Sequence, residues 1–212
     1  MNLPTRTFEA IVIGGSAGAI DALLTILPAL PATLRASVIV ALHVPRDRPS
    51  LLTQVFAPRC ALPVHEAQDN FGGDVPGRPH EAQDNEPLEP GTIVFAPPDY
   101  HLLLDVGPRL SLSVDAPVHF SRPAIDILFE SAADLFGERT LGILLSGANA
   151  DGAQGLAAID QAQGLCIVQT PDSASSPTMP RAALSLIPQV PHVLSPAAIA
   201  ETLNRLHARG LL

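Results

Sequence analysis

The sequence predicts an α/β fold, a doubly wound and mostly parallel sheet with helices on both faces and a small antiparallel edge. A strand–helix–strand pattern occupies residues 10–42 and predicts a parallel unit. Its apolar runs are unbroken rather than alternating, which is typical of strands covered on both faces. Short apolar runs between residues 92 and 114 are separated by Pro-Pro-Asp and Gly-Pro turns, which indicates an antiparallel portion.

Glycine and proline delimit the strand–helix–strand unit. The β-branched run at residues 10–13 is ended by two glycines. Residues 17–27 then carry apolar side chains at helical spacing, and Pro28 stops the pattern. Residues 37–42 form the second apolar run, so the two strands are expected to be parallel neighbours.

The rest of the chain continues this alternation of apolar strands and amphipathic helices. Helices are expected at residues 49–56, 123–136, 153–163, a short stretch after Pro180, and 196–208. Strands are expected at residues 92–96, 101–105, 110–114, 140–145 and 165–169.

A chain of 212 residues suits one α/β domain with a full core, so we interpret residues 1–212 as a single domain. The segment between residues 58 and 98 is rich in proline and glycine. It contains His-Glu-Ala-Gln-Asp-Asn twice, at residues 65–70 and 80–85. One duplication is not a repeat architecture, so we predict a duplicated surface loop at approximately residues 65–85.

Composition argues against several classes of function. The net charge is −9 and no basic cluster is present, which disfavours nucleic-acid partners. No apolar run is long enough to span a membrane and no signal peptide is recognisable, so we expect a cytoplasmic protein without direct membrane insertion. Neither Cys60 and Cys166 nor the histidines show metal-ligand spacing, so we expect no metal and no other cofactor.

The first motif with chemical potential is Gly-Gly-Ser-Ala-Gly at residues 14–18, which fits G-x-S-x-G between a strand and a helix. Glycines permit the sharp turn that exposes a serine hydroxyl, and unpaired N–H groups at the helix start can face an oxyanion. The same turn can also cradle a phosphate or be purely structural. Ser16 is therefore a candidate nucleophile.

Two other polar residues follow the ends of predicted strands. His43 follows the second strand and Asp151 follows the strand at residues 140–145, so both are expected at the same carboxyl edge as Ser16. A serine–histidine pair needs a third group to orient the imidazole, and Asp151 is the best candidate. Two alternatives remain, namely His43 as an ordinary loop residue and Asp151 as the cap of the helix beginning near Ala153.

Together these segments resemble the catalytic domain of the chemotaxis protein-glutamate methylesterases, the CheB family. The family pattern of Ile-Gly-x-Ser-x-Gly-Gly, then Gln-His-x-Pro, then Thr-Gly-x-x-x-Asp-Gly is approximated in order at residues 13–19, 42–45 and 146–152. The resemblance covers almost the whole chain, because similar segments also occur at residues 81–91, 96–101, 121–126 and 179–181.

The resemblance implies a triad of Ser16, His43 and Asp151 that hydrolyses glutamate γ-methyl esters on methyl-accepting chemoreceptors. Deamidation of receptor glutamines is implied as well, since it uses the same acyl chemistry. The family's usual N-terminal receiver domain is expected to be absent, because the first catalytic strand begins by residue 10. A separate response-regulator protein is then an expected partner.

Four positions depart from the family pattern. A hydroxyl residue is usual at Ala17, glycine at Ala19, glutamine at Leu42 and methionine at Ala148. These changes remove side chains near the site but leave backbone donors, so they bear on rate and substrate preference. Contacts to the oxyanion or the substrate are expected from Ala17, Gly147, Ala148, Arg122 and Met179.

Arg122 has two interpretations. Asp126 follows it by four positions, which predicts a surface ion pair, and the alternative is a wall of the substrate cleft. The same choice between an ordinary structural position and the cleft wall applies to Asp99, His101 and Met179.

The function has two alternatives besides the methylesterase. One is a catalytically weakened domain that binds receptor or regulator, motivated by the four changed neighbours of the site. The other is a general small-ester hydrolase unrelated to chemotaxis.

Overall fold

Ten strands and six α-helices form within the residues that the computed structural model describes, namely 6–68, 86–190 and 192–212. The strands are Ala10–Gly15 (β1), Ser37–Leu42 (β2), Val64–Glu66 (β3), Glu86–Pro87 (β4), Ile93–Phe95 (β5), His101–Asp105 (β6), Arg109–Ser113 (β7), Thr140–Leu144 (β8), Leu165–Gln169 (β9) and His192–Leu194 (β10). The helices are Ala19–Ile26 (α1), Leu52–Phe56 (α2), Ile125–Phe136 (α3), Ala153–Gln161 (α4), Thr178–Leu186 (α5) and Pro196–Ala208 (α6).

Seven strands form one parallel sheet in the order β10-β9-β8-β1-β2-β5-β3. The central strand β1 pairs with β2 on one side and with β8 on the other, both in parallel. The chain order reverses between β1 and β8, because earlier strands lie on the β2 side and later strands on the β8 side. Ligands bind outside the carboxyl ends of strands at such a switch point.

Helices cover both faces of this sheet, which explains the unbroken apolar strands. Ile11 and Ile13 of β1 pack with α1, α2 and α6 on one face. Ala10 and Val12 pack with α3, α4 and α5 on the other. Every residue of β1 and β2 is buried, so the sheet holds the residues that follow each strand in fixed positions. The predicted doubly wound α/β fold is confirmed.

The antiparallel portion is a sheet of its own, in the order β4-β7-β6. The prediction that residues 101–105 and 110–114 belong to an antiparallel portion is confirmed, because β6 pairs with β7 in that sense. The assignment of residues 92–96 to the same portion is wrong, because β5 joins the main sheet between β2 and β3 in parallel register. Apolar residues of β6 and β7 pack in the same core as α3.

The other predicted elements occur within a few residues of their expected bounds. The strands β3, β4 and β10 were not predicted, since two or three residues without a longer apolar run around them give no strand pattern. Most of the duplicated segment, residues 69–85, lies outside the described residues. Among the helices described, none has the length and apolar character needed to cross a membrane.

Candidate active site

Neighbouring strands of the main sheet end together at the candidate site. Ser16 follows β1 and His43 follows β2, and they are the next pair along the register after Gly15 and Leu42. The N–H group of Ser16 donates to the carbonyl oxygen of Ser146, beyond β8, at 2.8 Å. The N–H group of His43 donates to the carbonyl oxygen of Gly15 at 3.3 Å. The backbone therefore brings Ser16 and His43 to the expected edge.

A glycine turn leads from Ser16 into α1. Gly18 is the N-cap of α1 with φ +81°, in the left-handed region that disfavours other residues. A Cβ atom there would lie 2.6 Å from Cβ of Ser175 and 2.9 Å from Oγ of Ser146. Two other loops therefore close around the turn, while Ser16 itself stays partly exposed.

His43 and Asp151 form a hydrogen-bonded pair. Nε2 of His43 lies 2.7 Å from Oδ2 of Asp151, and the carboxylate is fully buried. Because an ionised carboxylate only accepts hydrogen bonds, Nε2 carries the proton and Nδ1 keeps its lone pair. Within the described residues no hydrogen bond joins the Ser16 hydroxyl to His43. In free enzymes this contact often tightens only with substrate, and Nδ1 is the nitrogen open to it.

Asp151 also caps a helix, but not the helix predicted. The N–H group of Ile125 donates to Oδ2 at 2.8 Å, and that of Asp126 donates to Oδ1 at 3.0 Å. These residues begin α3, whereas the N-cap of α4 is Gly152, and Asp151 makes no hydrogen bond to the N–H groups of α4 within the described residues. The interpretation of Asp151 as the cap of the helix near residue 153 is therefore wrong. One carboxylate binds His43 and caps α3 at once.

The pKa of Asp151 is lowered in the folded chain. Burial acts to raise it, but the hydrogen bond from His43 and the N–H groups of Ile125 and Asp126 together outweigh burial. Asp151 therefore stays ionised, and its charge stabilises the imidazolium that forms when His43 accepts a proton.

A second histidine and a second aspartate adjoin this pair. Asp126 is buried and accepts the N–H group of Gly155 at 2.7 Å, and Nε2 of His119 lies 3.4 Å from Oδ2 of Asp126. Burial raises the pKa of Asp126, and the charge of Asp151 adds to this effect. A ring nitrogen of His119 and one carboxylate oxygen each of Asp126 and Asp151 lie within 4.8 Å of one another. Both oxygens of Asp151 already accept hydrogen bonds from His43 and from the start of α3. His119 and Asp126 therefore adjoin the pair of His43 and Asp151 as a second layer of polar contacts. Spacing along the sequence assigned no role to His119.

His101 holds a structural position at the start of α3, as one of its two interpretations anticipated. It is buried, its Nδ1 accepts the N–H group of Ala124 at 3.2 Å, and its Nε2 donates to the carbonyl oxygen of Ala116 at 3.2 Å. These bonds require a neutral ring with its proton on Nε2. Burial lowers the pKa of His101, which favours that neutral form.

Arg122 pairs with Asp99 and not with Asp126. Its Nη2 lies 2.8 Å from Oδ1 of Asp99, and Nε of Arg46 lies 3.7 Å from the same oxygen. Its Nη1 donates to the main-chain carbonyls of residues 114 and 115. The predicted pair with Asp126 does not form among the described residues, because Arg122 precedes α3 and Asp126 is buried. Arg122 thus anchors the loop before α3.

The other expected oxyanion or substrate contacts differ in accessibility. Met179 is fully buried, and a Cβ atom at Gly147 would lie 2.6 Å from its sulfur, so Met179 packs against the glycine loop. The N–H group of Gly147 donates to the carbonyl oxygen of Ser176. Ala17 and Ala148 are exposed, and no hydrogen bond within the described residues uses their N–H groups.

Gln169 holds the loop after β8, a role that no sequence motif indicated. Its Oε1 accepts the N–H group of Ser146 at 2.9 Å, and its Nε2 donates to the carbonyl oxygen of Ser173 at 3.0 Å. The hydroxyl of Ser146 donates in turn to the carbonyl oxygen of Ala17 at 2.7 Å. Polar contacts thus join the loops after β1, β8 and β9.

A cavity of about 570 Å³ lies at the opposite, amino edge of the sheet. Its walls include Phe8, before β1, Ser37 at the start of β2, and the C-terminal Leu211 and Leu212. No histidine lines it among the described residues. The serine, histidine and aspartate gather at the other edge.

Fold and site together define a class of doubly wound α/β proteins that carry a serine, a histidine and an aspartate where parallel strands end. Within that class, this chain belongs to the CheB methylesterase family, which matches residues 11–72 and 76–203. The family resemblance of the sequence motifs is thereby confirmed.

Individual relatives agree with this membership. A Leptospira interrogans protein of serovar copenhageni, provisionally named a protein-glutamate methylesterase/protein-glutamine glutaminase, is 37% identical over 204 residues, which cover 96% of this chain and 97% of that protein. A Symbiobacterium thermophilum protein-glutamate methylesterase/protein-glutamine glutaminase is 34% identical over 208 residues, which cover 98% of this chain and 52% of that protein. The crystal structure of the Thermotoga maritima CheB methylesterase catalytic domain matches with a TM-score of 0.80 at 26% identity, covering 94% of this chain and 99% of that one.

Proposed function

We propose that this chain is a serine esterase that removes methyl esters from glutamate side chains of methyl-accepting chemoreceptors. The observation that carries the proposal is the 2.7 Å contact between Nε2 of His43 and Oδ2 of Asp151, beside the strand that Ser16 follows. This contact leaves Nδ1 as the base. Membership in the methylesterase family supports the substrate class.

In the acylation step, Nδ1 of His43 takes the hydroxyl proton of Ser16 while Oγ attacks the γ-ester carbonyl carbon. The oxyanion accepts hydrogen bonds from the N–H groups of Ala17 and Ala148. The bond from carbonyl carbon to methoxy oxygen then breaks, and His43 gives its proton to that oxygen. Methanol leaves, and a glutamyl ester of Ser16 remains.

Deacylation repeats these transfers with water. His43 takes a proton from water as the water oxygen attacks the acyl carbon. The bond to Oγ breaks, Ser16 regains its proton from His43, and the glutamate carboxyl is released. A glutamine side chain follows the same path, with ammonia as the leaving group in place of methanol. The proposed activity therefore includes deamidation of receptor glutamines.

The partners of the proposed reaction follow from its substrate. Methyl-accepting chemoreceptors supply the esters, and the chain acts on them in the cytoplasm. The acyl chemistry of Ser16 and His43 calls for no cofactor.

Methanol release from a methylated chemoreceptor cytoplasmic fragment tests the proposal. We expect the wild-type chain to release methanol and the Ser16→Ala variant to be slower by about 10⁴-fold or more. Ser185→Ala removes an exposed serine of α5 and is the matched control, with a wild-type rate. Equal rates for the wild type and Ser16→Ala would contradict the proposal.

The same assay separates the alternative functions. The weakened domain, motivated by the four changed neighbours of the site, predicts binding of the fragment without methanol release. The general small-ester hydrolase predicts turnover of simple acyl esters at least as fast as turnover of the receptor methyl esters.

A further inference from the structure

Phe120 is the most exposed large apolar side chain that the structure describes, at 99%. It belongs to the loop between β7 and α3, which leads to the helix capped by Asp151. A single exposed apolar side chain is common on protein surfaces, so exposure alone assigns Phe120 no role. The loop that holds the ring, and its position beside the candidate active site, give the exposure its meaning.

The backbone that carries Phe120 is held in place although its ring is uncovered. Val118 and Ser121 exchange two backbone hydrogen bonds of 3.1 and 2.8 Å across the turn. Nη2 of Arg46 donates to the carbonyl oxygen of Phe120 at 3.1 Å. His119 and Phe120 have φ values of 49° and 63°, in a region that bulky residues rarely adopt. Such conformations persist where the surrounding structure fixes them, and they cluster at functional sites.

The neighbours of Phe120 place it beside the candidate active site. Nε2 of His119, the preceding residue, lies 3.4 Å from Oδ2 of Asp126. A ring nitrogen of His119 also lies within 4.8 Å of a carboxylate oxygen of Asp151. Arg46, which binds the carbonyl group of Phe120, comes three residues after His43. The ring is thus carried by a loop that is tied to the carboxylates and to the chain segment of the proposed base.

The charges around this loop are partly neutralised. Arg46 and Arg122 both lie against the carboxylate of Asp99, at 3.7 and 2.8 Å. Their guanidinium groups also donate to main-chain carbonyls of the loop. With these cations engaged in holding the loop, the phenyl ring is its distinctive exposed feature, and it suits an apolar contact.

We propose that Phe120 is a specificity-determining residue for protein substrates, packing against an apolar side chain that neighbours the esterified glutamate. The inference rests on the proposed function, since it assigns the ring to the substrate that Ser16 would attack. A small glutamate ester has no such neighbour. Exposed aromatic anchors contribute strongly to protein recognition, so the contact acts on binding of the protein substrate and not on the chemical step.

Two substrates and three variants test this inference. The substrates are a methylated chemoreceptor cytoplasmic fragment and an N-acetyl, C-amide glutamate γ-methyl ester. We expect Phe120→Ala to lower kcat/KM on the fragment by about tenfold or more, mainly through KM, and to change the small-ester rate by less than about twofold. Phe120→Leu, which keeps an apolar side chain, should have a kcat/KM on the fragment between those of Phe120→Ala and the wild type. Val106→Ala removes the next most exposed apolar side chain, at the turn after β6, and keeps wild-type values on both substrates.

The outcomes distinguish this inference from the proposed function. A wild-type chain that releases methanol from the small ester and not from the fragment contradicts the proposed function. A wild-type chain active on the fragment, with Phe120→Ala equally active or equally impaired on both substrates, overturns the role of Phe120 alone. Sedimentation completes the set, because a wild-type dimer that Phe120→Ala converts to monomer would assign the ring to a second copy of this chain and overturn the inference.

Discussion

Oδ2 of Asp151 lies 2.7 Å from Nε2 of His43 and accepts, at 2.8 Å, the N–H group of Ile125 in the first turn of α3. The imidazole is therefore oriented by a side chain that is itself held by a helix terminus. The buried ring of His101 fixes the residue before that helix by accepting the N–H group of Ala124. Three hydrogen bonds thus link the small antiparallel sheet, through the start of α3 and Asp151, to the proposed base.

The Asp151→Asn variant keeps the side-chain volume but loses the charge and one acceptor oxygen. Its amide cannot satisfy His43 and both N–H groups of α3, so we expect kcat/KM for ester hydrolysis to fall about 10³- to 10⁴-fold. Loss of a buried acceptor lowers the free energy of unfolding by about 1–3 kcal/mol. Methanol release and urea denaturation measure the two effects.

Asp134→Asn is the matched control, since Asp134 is an exposed acid on the same helix. We expect it to change the free energy of unfolding by less than about 0.5 kcal/mol and to keep full activity. Full activity in Asp151→Asn would show that the buried carboxylate does not serve His43.

Alanine variants of Gly18 and Gly210 distinguish the cost of backbone strain from the cost of crowding at the turn after Ser16. Both glycines have positive φ, at 81° and 70°, but a Cβ atom at Gly210 meets nothing within 4 Å. We expect Gly210→Ala to cost about 1 kcal/mol of unfolding free energy from the left-handed conformation alone. Gly18→Ala should cost about 1–3 kcal/mol more, because its Cβ atom meets Ser175 and Ser146.

Displacement of the serine turn should also reduce turnover in Gly18→Ala, while Gly210→Ala keeps its rate. Urea denaturation and methanol release provide the comparison. Equal stability losses at the two glycines would mean that the loops around Ser16 are not closely packed.

Acid should destabilise the chain through His101. Its pKa lies below the ordinary 6.5 in the folded chain, so between those values the unfolded chain binds more protons. The stability that the neutral ring contributes is complete above pH 6.5 and is lost progressively as the pH falls below it. We expect the free energy of unfolding to drop less between about pH 7.5 and about pH 5.5 in His101→Asn than in the wild type.

Other groups titrate alike in both proteins of that comparison. The lowered pKa of His192 acts in the same direction, and the raised pKa of Asp126 acts in the opposite one. Urea denaturation at a series of pH values measures the difference. The same pH slope in both proteins would rule out His101 as the source of acid sensitivity.

Sequence patterns predict the strand–helix–strand unit and the edge positions of Ser16 and His43, because the signals are local. Glycine stops, apolar runs and helical spacing lie within a few residues of one another. Pairing is not local. Nothing within residues 92–96 indicates that β5 pairs with β2, whose register partners lie more than fifty positions earlier in the chain.

The same limit explains what was missed at the site. Aspartate is a common helix cap, and the sequence places Asp151 next to α4. The fold instead brings the start of α3 to its carboxylate, from residues 25 and 26 positions earlier in the chain. His119 and Gln169 also act through partners that no sequence motif specifies, namely Asp126 and Ser146. Burial and capping of this kind depend on tertiary packing.

Covalent labelling tests most directly whether Ser16 is the nucleophile that His43 activates. A fluorophosphonate should modify the wild-type chain once, within the peptide that contains Ser16, as peptide mass mapping would show. Labelling should vanish in Ser16→Ala and slow by about 10³-fold or more in His43→Ala. Modification of another residue, or an unchanged rate in Ser16→Ala, would contradict the assignment.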